Sequence, residues 1–165
     1  MNEDQCLIHV RLSRLVDWQT LKTLRLEALQ DSPDAFTASY SETQKHSDHE
    51  WQTRAAQHTA CRYFLALEQG EAVGMVGLSM NELSECNVVA MWVKPAYRAQ
   101  GVAALLMQCL KQFARQHTYM ALVLRVAHSN QRAFRFYQKQ GFSPVALSVG
   151  ERADETSQKM VCELS

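Results

Sequence analysis

The chain has 165 residues, enough for one domain that buries its own core, and its 47% apolar and 21% charged residues exclude a disordered or collagen-like polymer. Seventeen basic residues balance seventeen acidic ones, so no strong electrostatic attraction draws the chain to nucleic acid or to an anionic membrane. The five cysteines (Cys6, Cys61, Cys86, Cys109 and Cys162) are scattered, with no CxxC pair and no zinc spacing, which suits a reducing cytosol and no metal. Cys109 falls on an apolar helix face and is expected as a small buried hydrophobe. The start, MNEDQC, is acidic and polar rather than basic and then apolar, and no apolar run reaches the ~18 residues of a membrane span. A soluble, cytoplasmic protein is expected.

In chain order, Ile8 to Leu12 alternates in character and suits a first strand. Ser13 is placed to cap the following helix, in which Leu15, Trp18, Leu21, Leu24 and Ala28 or Leu29 recur at helical spacing. Pro33 ends that helix within QDSPD. A second helical region runs from Ala38 to Gln57, with a break and restart at the capping box Ser47-Asp48-His49-Glu50. These polar-sided helices should cover one face of a sheet.

From Cys61 the texture turns to strands. Arg62 to Leu67 and Ala72 to Met80 flank the turn Glu68-Gln69-Gly70-Glu71 as a hairpin, and Gly74 and Gly77 mark a bulge or close backbone approach. Val88 to Val93 is continuously apolar and reads as a central strand covered on both faces. A helix over Gly101 to His117 shows an apolar face of Val102, Leu105, Leu106, Cys109, Leu110 and Phe113, and Ala121 to Ala127 is the next strand. Strand, helix and strand at this spacing form a βαβ unit with parallel strands. A short helix, Asn130 to Gln140, is capped by Ser129 or Asn130 and closed by Gly141. Strands at Val145 to Val149 and Lys159 to Leu164 complete a single α/β domain, residues 1–165, with a mixed sheet and helices on both faces.

The stretch from Met91 to Met107, MWVKPAYRAQGVAALLM, joins the central strand to the long helix. Unpaired N–H groups at a helix start carry the positive end of its dipole, so the turn is suited to an anion. A P-loop would need a lysine directly after the second glycine, yet no lysine follows Gly101 before Lys111; a dinucleotide turn would need three glycines after a first strand. The Arg-x-x-Gly-x-Gly/Ala turn of acyl-CoA enzymes is met at each defined position by Arg98-Ala99-Gln100-Gly101-Val102-Ala103.

Two segments, VKPAYRAQGVAALL (Val93 to Leu106) and NQRAFRFYQKQGF (Asn130 to Phe142), resemble in order and spacing the paired motifs of the GCN5-related N-acetyltransferase (GNAT) superfamily. LRLEALQDSPDAF (Leu24 to Phe36) is similar to a bacterial branch whose members mostly lack assigned substrates. The resemblance implies a mostly antiparallel sheet whose central parallel pair splays to bind acetyl-CoA. It implies a pyrophosphate on the N–H groups of Arg98, Ala99, Gln100, Gly101, Val102 and Ala103. It puts the pantetheine arm along the backbone of Met91, Trp92 and Val93, beside Asn130 and Ala133. Ala99, where many relatives carry glycine, is compatible with this only with a negative φ.

Direct attack by an amine on the thioester is implied, with the Val93 N–H as oxyanion donor and Tyr137 as acid to the departing thiolate. For the base, Glu85 ranks first, with Glu82 and His128 as alternatives. Tyr137 beside Phe136 is also compatible with plain core packing, and Glu82 and Glu85 with an ordinary polar turn; His46, His49, His58 and His117 read as solvated. The acceptor is a small-molecule or peptide amine of open identity, and a homodimer is one assembly such enzymes adopt. A non-catalytic acetyl-CoA sensor, a different acyl donor and a protein N-terminal acceptor stay open as alternatives.

Overall fold

A computed structural model describes residues 7–81, 84–146 and 156–164. A sheet of seven strands carries the architecture: β1 (His9–Leu12), β2 (Cys61–Glu68), β3 (Glu71–Met80), β4 (Cys86–Val93), β5 (Ala121–Ala127), β6 (Ser143–Pro144) and β7 (Ser157–Glu163), in the spatial order β1-β2-β3-β4-β5-β7-β6. Among the described residues only β4 and β5 run parallel, and they pair through Asn87 and Val123 alone. The strands therefore separate beyond this point. The hairpin turn places Gln69 and Gly70 at φ 48° and 83°, the left-handed pair that matches the twist of the flanking strands.

Two apolar cores lie on the two sheet faces. One face receives α1 (Trp18–Asp31) and α3 (Asp48–Ala55), whose Leu21, Leu24, Ala28, Trp51 and Ala55 pack on Leu65, Met75 and Trp92. The short α2 (Tyr40–Thr43) lies between them in sequence, so the expected break in the second helical region is present, and Ser47 and Glu50 form the reciprocal cap of α3. The other face receives α4 (Val102–Gln116), whose Val102, Leu106, Met107, Leu110 and Ala114 are buried against Val76, Leu78, Leu122 and Leu124. Helix α5 (Gln131–Lys139) follows β5; the Asn130 side chain caps it by accepting from the Ala133 N–H at 3.1 Å, and Gly141 takes φ 93° just beyond its end. Cys109 is only half-buried on α4. Among the described residues no helix is long and apolar enough to cross a membrane.

Three local expectations need correction. Ser13 caps no helix: its hydroxyl donates to the Ala55 carbonyl at 2.9 Å and accepts from Gln57, tying the end of β1 to the end of α3. The short 3-10 turn ahead of α1, Leu15–Asp17, is closed by Asp17, whose carboxylate accepts from the Arg14 N–H at 2.7 Å. Second, β4 is central but not covered on both faces, since Val89 stays 36% exposed over an open cleft. Third, the strand expected at Val145 to Val149 begins earlier, at Ser143, and pairs through Val145, whose N–H donates to Lys159; residues 147–149 lie outside the described residues.

The glycines of β3 make close contacts. A Cβ on Gly77 would stand 2.9 Å from Val89 Cγ2 and 3.0 Å from the Cys61 sulfur, and one on Gly74 would stand 3.1 Å from the Trp92 carbonyl oxygen. Opposite them β4 carries the bulge: Met75 faces Trp92 and Gly77 faces Val89, so Val76 faces both Ala90 and Met91. Ala90 takes φ 55° to accommodate the extra residue.

Candidate functional site

The bulge changes what β4 offers to the open side. The Lys94 N–H donates to the Val73 carbonyl at 2.9 Å, which fixes the alternation at this end of the strand. Gly74 and Val93 are then a non-hydrogen-bonded pair, so the Val93 N–H and C=O point away from β3, toward the gap left by β5. By the same alternation Met91 presents its amide to the gap and Trp92 presents its amide to β3. This end of β4 has no strand beside it among the described residues.

The gap opens into a cleft of about 1060 Å³. Met91, Trp92 and Val93 line one wall; Arg98, Ala99, Gly101, Val102 and Ala103 line its end at the start of α4; Asn130, Ala133 and Tyr137 line the wall formed by α5. Among the described residues the N–H groups from Ala99 to Ala104 meet no backbone carbonyl, and the first turn of α4 holds no acidic residue. Gly101 takes φ 82°, and a Cβ there would have no atom within 4 Å, so a side chain would project into the open space in front of those N–H groups. N–H groups left over at a helix start are the kind of donors that suit an anion.

Ala99 departs from expectation. Its φ is +61°, in the left-handed region where a Cβ costs about 1 kcal/mol, and the required negative φ is absent. The turn keeps the shape that glycine would allow freely, with strain as the consequence. Gln100 is not on the cleft wall; its side chain folds back to donate to the Ala96 carbonyl at 3.0 Å.

The Arg98 side chain does not reach into the cradle. Its Nε donates to the Val93 carbonyl at 3.0 Å and its Nη2 to Asp31 Oδ2 at 2.5 Å, while the Trp92 indole N–H donates to the same oxygen at 3.0 Å. The indole, the guanidinium and the Ser32 hydroxyl together hold the Asp31 carboxyl down at about 2. Asp31, the last residue of α1, thus ties the first face of the sheet to the end of β4 and to the turn before α4. Local pattern gives Asp31 no role, and only the resemblance over Leu24 to Phe36 carries any signal of it.

Tyr137 packs edge-on against Phe136 and Phe142, with ring centroids 5.3 and 5.9 Å away, while still lining the cleft. Burial pushes its phenol up to about 12, so it stays protonated throughout neutral pH. Glu85 does not stand on the cleft wall. One carboxylate oxygen accepts from the buried Lys159 ammonium at 2.7 Å and the other from Asn81 at 3.1 Å, the arrangement of a structural ion pair. His128 is exposed and also off the wall, and Glu82 lies outside the described residues. Among the described residues lining the cleft there is no carboxylate and no imidazole, whereas Arg25, Arg98, Arg125, Arg132, Arg135 and Lys139 all reach it.

A model described as the acetyltransferase (GNAT) family matches residues 25–142, spanning the cradle, the unpaired edge and α5. The chain belongs to the GNAT acetyltransferase family. Solved structures agree in fold. A GNAT-family acetyltransferase from Streptococcus pneumoniae superposes with a TM-score of 0.76 at 18% identity, covering 96% of this chain and 100% of its own. The PaiA N-acetyltransferase of Thermoplasma acidophilum, solved in complex with coenzyme A, gives 0.74 at 18% identity, covering 95% and 99%. A GNAT-family protein described as an acetyltransferase from Desulfovibrio desulfuricans gives 0.75 at 16% identity, covering 96% and 100%. No curated protein matches the sequence. The GNAT fold supplies the seven-stranded mixed sheet and its splayed parallel pair.

Proposed function

We propose that the protein is an acetyl-CoA-dependent N-acetyltransferase that transfers the acetyl group to a primary amine by direct attack. The observation that carries this reading is the unpaired edge of β4 running into the N–H cradle at the start of α4, with Tyr137 on the facing wall. Acetyl-CoA, as co-substrate, supplies an acetyl group activated as a thioester. The N–H groups from Ala99 to Ala103 hold its pyrophosphate, with Gly101 leaving room for the phosphate oxygens. Met91 and Val93 pair their amides with the pantetheine arm as an added strand pairs with a sheet edge. Asn130, whose Oδ1 caps α5, has its Nδ2 left to donate to the same arm.

The Val93 N–H stabilises the oxyanion that develops on the acetyl carbonyl. Tyr137 serves the sulfur. A phenol raised to about 12 by burial lies well above a thiol's ~8.5, so Tyr137 does not give up its proton outright. It passes a proton to the sulfur while taking one from the nitrogen, which must lose a proton to become an amide. The balance is amine plus thioester to amide plus free thiol. Cations on the wall lower the pKa of a bound ammonium, which favours the free amine without a dedicated base; solvent takes the first proton.

The absence of an acid or imidazole on the wall among the described residues also suits a sensor that binds acetyl-CoA without turnover. Release of CoA thiol on adding amines separates the two. The cradle itself is tested by thermal denaturation: acetyl-CoA at 100 times its Kd should add ~2.7 kcal/mol of stability, and Gly101→Val should remove that gain. Stabilisation that survives Gly101→Val would sink the cradle assignment.

A further inference from the structure

Arg25 is a cation of the cleft that stands apart from the cradle at the start of α4. It stands on α1, on the face of the sheet that carries Trp51 and Trp92, and reaches the cleft beside Ser32, Phe36 and Thr37. Its guanidinium lies 5.0 Å over the Phe36 ring. Its Nη1 is shut off from solvent and has no hydrogen-bond partner among the described residues. The titratable groups around it are Tyr63, Cys61 and Arg54, and burial keeps the phenol and the thiol protonated, so the only charge among them is another cation. Desolvation accordingly disfavours its charge. A half-buried guanidinium with no anion beside it among the described residues is suited to a pair whose other half comes with a ligand.

We propose that Arg25 receives a carboxylate of the acceptor, so that the enzyme acetylates amines that also carry a carboxyl group, such as amino acids and short peptides. This rests on the acetyltransferase reading above. The planar fork of a guanidinium matches a carboxylate in a bidentate pair, and a turn about the terminal Cδ–Nε bond brings Nη1 out to it. The neighbouring wall adds neutral donors and acceptors, Ser32, Thr37, Ser79 and Asn87, and no described acid. A polyamine or an aminoglycoside therefore finds nothing there to hold its further positive charges. Gly77, packed against Tyr63, Cys61 and Val89, places this region beside Val89, four residues before Val93 on β4. At 3.3 Å per residue Val89 and Val93 stand roughly 13 Å apart along β4, a reach that a short peptide covers.

The test compares matched pairs, each amino acid or dipeptide against its own C-terminal amide, with CoA thiol release as readout at saturating acetyl-CoA. Polyamines and aminoglycosides are included as acceptors without a carboxylate. The wild-type protein should favour the carboxylate member of at least one pair by tenfold or more in kcat/KM. Arg25→Gln should erase that preference, and Arg25→Lys should keep part of it, with acetyl-CoA binding by calorimetry unchanged in both. Thiol release from amines with no carboxylate preference in the wild type overturns this proposal alone, and so does a preference that persists in Arg25→Gln. No thiol release from any amine overturns the acetyltransferase reading together with it. The wild-type comparison decides the matter even if a variant fails to fold.

Discussion

Ala99 and Tyr137 carry the most direct predictions at the scale of single residues. Ala99 sits at φ +61° without being glycine, so Ala99→Gly should relieve about 1 kcal/mol of strain. The expected outcome is a higher midpoint in chemical denaturation and acetyl-CoA affinity at least equal to wild type; a loss of stability would contradict the strain. The letters alone could not supply this angle. A sequence shows that alanine replaces the glycine of many relatives, but whether the backbone moves to suit alanine depends on the turn's other contacts. Here Arg98, anchored to Val93 and Asp31, holds the turn in its glycine-like shape. Tyr137→Phe should lower kcat by about 100-fold with little change in the KM for acetyl-CoA. Because burial raises the phenol to about 12, its proton is lost only far above neutrality, so the wild-type rate should show no descending limb between pH 7 and 10 from this group. A limb in that range that disappears in Tyr137→Phe would remove the buried phenol from the account.

Between elements, the decisive contact joins the end of α1 to the end of β4 and the start of α4 through Asp31. Its partners Trp92 and Arg98 lie 61 and 67 residues away. Such a tie leaves no trace in local periodicity, which is why QDSPD reads only as a helix stop. By contrast β4, α4 and α5 were legible because continuous apolarity, a broad apolar helix face and the Asn130 and Gly141 caps are local signals. The end of β4 was legible only in part, since the bulge at Ala90 depends on Gly77 allowing a neighbouring strand to come close. Asp31→Asn should destabilise by about 1 kcal/mol at pH 7 and raise the KM for acetyl-CoA by loosening Arg98. The sign with pH follows from the depressed carboxyl. Its folded-state pKa is lowered from 3.8 to about 2, so the stabilisation is full above pH 4 and is lost as pH falls from there toward 2. Urea titrations of the two proteins should therefore differ at pH 7 and converge as the pH drops below 4. A gap that stays constant over that range would mean Asp31 contributes through shape and not through charge.

For the molecule as a whole, a chain of zero net charge gathers arginines and a lysine on one cleft and keeps every described acid off its wall. Counting charges along the sequence hides this, because segregation is a property of the fold. The candidate base Glu85 was lost for the same reason: only the folded chain brings Lys159, 74 residues away, onto its carboxylate. What composition and pattern did reveal was the mixed α/β sheet and its central parallel pair. A positive cleft attracts a polyanionic donor, so acetyl-CoA binding should weaken as salt rises through the range that shortens screening to under ~10 Å. Everything then converges on whether bound acetyl-CoA is used. The most direct test is a single time course at saturating acetyl-CoA with an amino-acid and amine panel, reading free thiol and acetylated amine together by thiol titration and mass spectrometry. The expected result is equal amounts of the two products, formed at a rate that Tyr137→Phe lowers about 100-fold. Tight acetyl-CoA binding with no acetylated product from any amine would contradict it and leave a binding protein in place of an enzyme.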